Sequence, residues 1–157
     1  MTAGSSALHT EGPRCVCSPE TGADDRLGVR ARMGAEPSAV RTLRRRVRSW
    51  LEEIGADEEA AESILLVVDE AVTNAVEHAC PGKKCDVELV VGSRACGRGL
   101  AVMVADTGEW QPPGDPGFRG RGLGMIRRIA ERSAIETSYE GTTVRMCWAE
   151  PAVPGVH

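Results

Sequence analysis

Glu70 and Asn74 lie four residues apart in the run Ile64-Leu65-Leu66-Val67-Val68-Asp69-Glu70-Ala71-Val72-Thr73-Asn74-Ala75-Val76-Glu77-His78-Ala79. On a helix that spacing stacks Glu70, Asn74 and His78 along one face. Carboxylates and amides are costly to bury without partners, so a polar stripe beside an apolar one needs a reason. It either faces water or lines a site. A site of this kind offers a carboxylate as base and an amide oxygen as a metal ligand.

Three further segments could do chemistry. Asp106 ends the apolar strand-like run Leu100-Ala101-Val102-Met103-Val104-Ala105 and is followed by Thr107-Gly108. A carboxylate there can accept from an exocyclic amine, and the missing Cβ of Gly108 lets a flat ring approach the backbone. The same three residues equally suit an ordinary turn. Gly120-Arg121-Gly122-Leu123-Gly124 leads into a helix, where exposed backbone N–H groups attract anions, with Arg119 and Arg121 adding positive charge. It is not a P-loop, because no Gly-Lys-Ser/Thr follows, and Met125 breaks the G-x-G-x-x-G pattern. Gly141-Thr142-Thr143-Val144 reads as a hairpin turn entering a strand.

These segments need elements to hold them. Leu27–Met33 alternates as a short strand. Glu36-Pro37-Ser38 opens a helix with Val40, Leu43, Val47, Trp50, Leu51 and Ile54 at helical spacing, ended by Gly55. Asp57 is placed to cap the next helix, which runs to about Ala79. Pro81-Gly82 turns the chain. Strands are predicted over about 86–92, 99–105, 134–139 and 142–148, with a short helix over 123–132. The fold class is α+β: a two-layer sandwich of a mixed, mostly antiparallel sheet with helices on one face. Residues 1–25 form a polar disordered tail, 26–149 the domain, and 150–157 a Pro-containing tail.

Composition narrows the classes. The 157 residues carry 41% hydrophobic and 27% charged side chains, the balance of a globular domain. Net charge is −4 and aromatics are 3%, which argues against direct nucleic-acid binding. No run nears the roughly 18 apolar residues of a membrane span, and the N-terminus lacks a secretory h-region, so a cytoplasmic location is expected. Arg outnumbers Lys by 17 to 2, a bias of GC-rich bacterial genomes. Arg41, Arg44, Arg45, Arg46 and Arg48 crowd the first helix, either solvated or meeting an acidic protein surface. The six cysteines are expected to be reduced thiols in that compartment.

Taken in order, Glu70-x-x-x-Asn74, Asp106-x-Gly108, Gly120-x-Gly122-x-Gly124 and Gly141-Thr142-Thr143 resemble the N, G1, G2 and G3 boxes of the Bergerat-fold (GHKL) ATPases. The wording of 69–79 is most similar to the bacterial anti-sigma-factor serine/threonine kinases of that superfamily. The resemblance covers about Leu27 to Trp148. It implies ATP and Mg²⁺ as cofactors, with Asn74 holding the metal and Glu70 as general base. It implies that Asp106 binds the adenine amine beside Gly108, that Gly120, Arg121, Gly122, Leu123 and Gly124 form the phosphate-side lid, and that Thr143 supports the adenine pocket. The implied partners are a sigma factor and an anti-sigma-factor antagonist protein, and family members often form homodimers. One departure stands out: the usual Asp-x-Gly-x-Gly reads Asp106-Thr107-Gly108-Glu109-Trp110. It implies a stiffer lid hinge, and with it the alternative of a nucleotide-responsive binding regulator with little or no kinase activity.

Overall fold

A computed structural model gives the fold; the structure describes residues 19–20, 28–79, 84–94, 99–108 and 124–148. The described strands are β1 (Pro19–Glu20), β2 (Gly28–Gly34), β3 (Asp86–Arg94), β4 (Leu100–Asp106), β5 (Arg132–Ser138) and β6 (Gly141–Trp148). The helices are α1 (Pro37–Glu53), α2 (Glu58–Asn74) and α3 (124–129). One sheet runs β3-β4-β6-β5, with β1 and β2 both paired to β3. Every described pairing is antiparallel, so the mixed sheet expected from sequence is antiparallel throughout these strands.

Local chemistry explains the helix limits. Pro37 opens α1 at a position whose N–H would be unpaired in any case. Gly55 ends it with φ +69°, and the N–H groups of Ala56 and Gly55 donate to the carbonyls of Leu51 and Glu52 at 2.9 and 3.1 Å. This pair of bonds is the Schellman closure, which a residue with a Cβ resists. Asp57 stands at the N-cap position of α2, but its side chain makes no cap bond; acidic Glu58 and Glu59 in the first turn favour that helix end instead.

Both long helices bury one face against the sheet. Leu43, Val47, Trp50 and Leu51 of α1 and Ile64, Leu65, Val67, Val68, Ala71 and Val72 of α2 meet Val87, Leu89 and Val91 of β3, Leu100, Val102 and Val104 of β4, and Val144 and Met146 of β6 in one core. The alternation along β3, β4 and β6 puts every second residue into that core. α3 joins through Ile126, with Ala130 just beyond its end, and the Trp148 indole N–H donates to the Ile129 carbonyl at 3.3 Å. That bond fixes the end of α3 to β6.

Candidate functional site

Two segments of the chain meet at Asp106. Its Oδ1 accepts from the Gly108 N–H at 3.0 Å and from the Thr142 N–H at 3.4 Å. The first bond closes an Asx turn, the local device that lets a short carboxylate hold the backbone two residues on. The second follows from register, since Asp106 lies opposite Thr142 in the β4–β6 ladder. Asp106 is thus pinned by two backbone donors from two of the segments singled out in the sequence.

Gly141 permits the approach. A Cβ built there would lie 1.7 Å from the Asp106 carbonyl oxygen and 2.8 Å from its carbonyl carbon. Its φ of +143° is also one that L side chains rarely adopt. The hairpin turn at Gly141 therefore has a second purpose, contact with the end of β4. Thr143, the expected supporting residue, is not brought to Asp106. Val144 and Met146 face the core, so alternation puts Thr143 on the opposite sheet face, in register with Ala105. The neighbouring Thr142 makes the contact, and through its backbone, which is why residue type did not reveal it.

Glu70 and Asn74 share one strip of α2 with Leu66, at i, i+4 and i+8. Exposure falls along that strip: Leu66 is 43% exposed, Glu70 and Asn74 are half-buried, and the Asn74 Nδ2 is buried with no hydrogen-bond partner. The strip is not a wet face: it passes from exposed Leu66 to the buried Asn74 amide nitrogen, on a helix that packs on β4. Beyond Asn74 the helix widens into a π-helical turn, Ala75–Ala79. Such turns break the four-residue repeat and recur at functional sites. Of the residues predicted to stack, Glu70 and Asn74 lie in the α-helix, and His78 falls in the π-helical turn.

Asp69, the residue before Glu70, forms an ion pair with Arg44 of α1, while its Oδ1 is buried without a partner. Burial pushes the Asp69 carboxyl above its ordinary 3.8; the Arg44 and Arg48 guanidiniums pull it down without cancelling that effect. An acid whose folded pKa is raised binds its proton more tightly in the native state. Its contribution to stability is therefore greatest in acid and falls as pH rises from 3.8 through the folded value. Urea unfolding of wild type and Asp69→Asn across pH 4 to 7 (the approximate carboxylate-to-neutral window) should show wild type losing stability relative to the variant as pH rises. A difference independent of pH would contradict this assignment.

Other expected positions fall as follows. Gly124 begins α3, and a Cβ there would meet nothing within 4 Å. Gly120, Arg121, Gly122 and Leu123, and also Trp110, lie outside the described residues. Arg41, Arg45, Arg46 and Arg48 are exposed on α1. The expectation of reduced thiols fails at Cys85 and Cys147, both disulfide-bonded, and no described cysteine is free. A prior drawn from the redox compartment concerns the medium; it does not say which sulfurs the fold brings together.

A buried amide half without a partner, a carboxylate one turn earlier, and a second carboxylate fixed at a strand end with a glycine beside it are the groups that stand out among the described residues. The model of one protein family, the histidine kinase-like ATPase domain, matches residues 33–148. The chain belongs to that family. The RsbU and RsbW domains of Rv1364c from Mycobacterium tuberculosis superpose with a TM-score of 0.61 at 28% identity, over 76% of this chain and 31% of that one. The Erythrobacter litoralis EL346 blue-light activated histidine kinase gives 0.52 at 26% identity, over 60% of this chain and 31% of that one. The histidine kinase domain of the same protein gives 0.50 at 24% identity, over 63% and 50%, a likeness of fold. This chain thus spans 31% of the length of the first two structures. Histidine kinase-like ATPase domains bind ATP, and membership makes this a domain of general kinase or ATPase type. The likeness to an RsbW domain agrees with the anti-sigma-kinase resemblance read from residues 69–79. Among the described residues no helix is long and apolar enough to cross a membrane.

The residues suit the implied ligands. Mg²⁺ prefers oxygen donors and needs only one or two from protein when phosphates supply the rest. Rotation about the last bond of the Asn74 side chain exchanges its nitrogen and oxygen, so the unpartnered buried end can present the oxygen. Among the described residues no cluster of three or more His, Cys, Asp or Glu could hold a metal.

Proposed function

We propose that this domain is an ATP-dependent serine/threonine protein kinase and anti-sigma factor, which phosphorylates an anti-sigma-factor antagonist and sequesters a sigma factor in the cytoplasm. The observation that carries the reading is the half-buried Glu70–Asn74 strip, with its unpartnered buried amide nitrogen, on the helix that packs on β4, the strand that ends in the pinned Asp106. Phosphoryl transfer asks the protein for positioning and charge placement more than covalent chemistry. Asn74 would hold Mg²⁺, which when bound neutralises charge on phosphate oxygens. Glu70, one turn earlier, would take the proton from the acceptor hydroxyl. Asp106 would accept from the adenine amine, with Gly108 giving the ring access. Gly120, Arg121, Gly122, Leu123 and Gly124 would close over the phosphates, and the Thr142 backbone, in place of Thr143, would support Asp106. The exposed Arg41, Arg45, Arg46 and Arg48 suit an acidic partner surface, and a homodimer would present that surface twice.

The test is transfer of label from γ-labelled ATP to a serine of a candidate antagonist. The proposal expects label on the antagonist and none without Mg²⁺. Trp110 in the first glycine box favours a second reading, a nucleotide-responsive binding regulator. That reading expects ATP-dependent partner binding with no label transferred.

A further inference from the structure

The β3–β4 ladder ends unusually. Val87 lies opposite Asp106, so the next pair in register is Asp86 and Thr107. In an antiparallel ladder a hydrogen-bonded pair exchanges two backbone bonds. Here the Thr107 N–H donates to the Asp86 carbonyl at 3.2 Å, but the Asp86 N–H donates to the Thr107 side-chain Oγ1 at 3.0 Å. The hydroxyl takes the place a carbonyl would hold. The chain can then leave the strand at Thr107 while Asp86 keeps its partner, and it turns at once into Gly108.

That departure is what brings the Gly108 N–H to Asp106 Oδ1. Asp86 is itself held: its Oδ2 accepts from Arg32 Nε at 3.1 Å, and the adjoining Cys85 carbonyl accepts from the Ala35 N–H at 2.8 Å. β2 therefore anchors the start of β3, which anchors Thr107, which sets the turn holding Asp106. We propose that Thr107 is a positioning residue for nucleobase selection: its hydroxyl fixes the Asx turn that aims the Asp106 carboxylate at the exocyclic amine of adenine. This rests on the assignment of Asp106 as the base-reading group. Guanine presents a carbonyl where adenine presents that amine, so a well-aimed carboxylate repels it.

Thr107→Val keeps the shape and removes the hydroxyl; Thr107→Ser keeps the hydroxyl. ATP and GTP are titrated calorimetrically into the intact protein and each variant, with melting temperatures in parallel. Thr107→Val should weaken ATP binding about tenfold, the cost of one well-placed hydrogen bond, and narrow the ATP-to-GTP preference. Thr107→Ser should restore both to within about twofold of wild type. A purely structural role would lower the melting temperature and leave the preference unchanged. Wild-type affinity and preference in Thr107→Val would overturn the proposal, as would an equal loss in Thr107→Ser. If the valine variant does not fold, Thr107→Ala against Thr107→Ser carries the same comparison. Asp106→Asn separates the two assignments: unchanged ATP binding there removes the base-reading role itself, whereas loss there with a silent Thr107→Val removes only the role of Thr107.

Discussion

Glu70→Gln is expected to lower phosphoryl transfer by about 10²–10⁴-fold, the usual worth of a positioned general base. The substitution keeps the size of the side chain and its place on the half-buried strip of α2. It removes the capacity to take a proton, together with the negative charge. ATP affinity should stay within about twofold of wild type, because an interaction made only in the transition state affects rate and not ground-state binding. Single-turnover transfer from labelled ATP gives the rate, and equilibrium titration gives the affinity. Transfer at the wild-type rate would remove Glu70 as base; loss of both rate and affinity would make it a binding residue.

Gly141→Ala is the second large effect, and it acts on fold and site together. Its Cβ would be placed against backbone atoms of Asp106 and Thr107, at 1.7 to 3.1 Å, and backbone cannot swing aside as a side-chain tip can. The φ of +143° adds strain of its own. We expect a loss of about 2–4 kcal/mol in unfolding free energy, seen as a fall of roughly 5–12 °C in melting temperature. Nucleotide binding should weaken in the residual folded protein, since relief of the clash moves the end of β4 that carries Asp106. Gly124→Ala is the matched control: among the described residues no atom outside its own helix lies within 4 Å of its added Cβ, so the melting temperature should hold or rise slightly. Equal behaviour of the two variants would remove the steric account of Gly141.

The elements were largely legible in the sequence because their signals are local. The apolar period through Leu43, Val47 and Trp50, the stop at Gly55 and the alternation in β3, β4 and β6 each depend on a few neighbouring residues. The pairing of Glu70 with Asn74 was legible for the same reason. What escaped depends on register or on contacts between distant segments. The contact of Thr142 with Asp106, and not Thr143, is set by the β4–β6 ladder; a one-residue difference in such a ladder exchanges the two faces. The Arg44–Asp69 pair joins two helices whose relative rotation no local pattern fixes. The hydroxyl of Thr107 replacing a carbonyl, and the π-helical turn after Asn74, are backbone irregularities that residue propensities do not encode.

The central claim is that the α2 strip and the end of β4 form an Mg²⁺-dependent ATP site, and calorimetric titration of the purified protein with ATP, with and without Mg²⁺, tests it most directly. The expected result is one-to-one binding that weakens when Mg²⁺ is withdrawn, and that weakens about tenfold or more in Asn74→Ala only when Mg²⁺ is present. Folded protein that takes up no ATP in either condition, or an Asn74→Ala variant that binds Mg·ATP as wild type does, would contradict it.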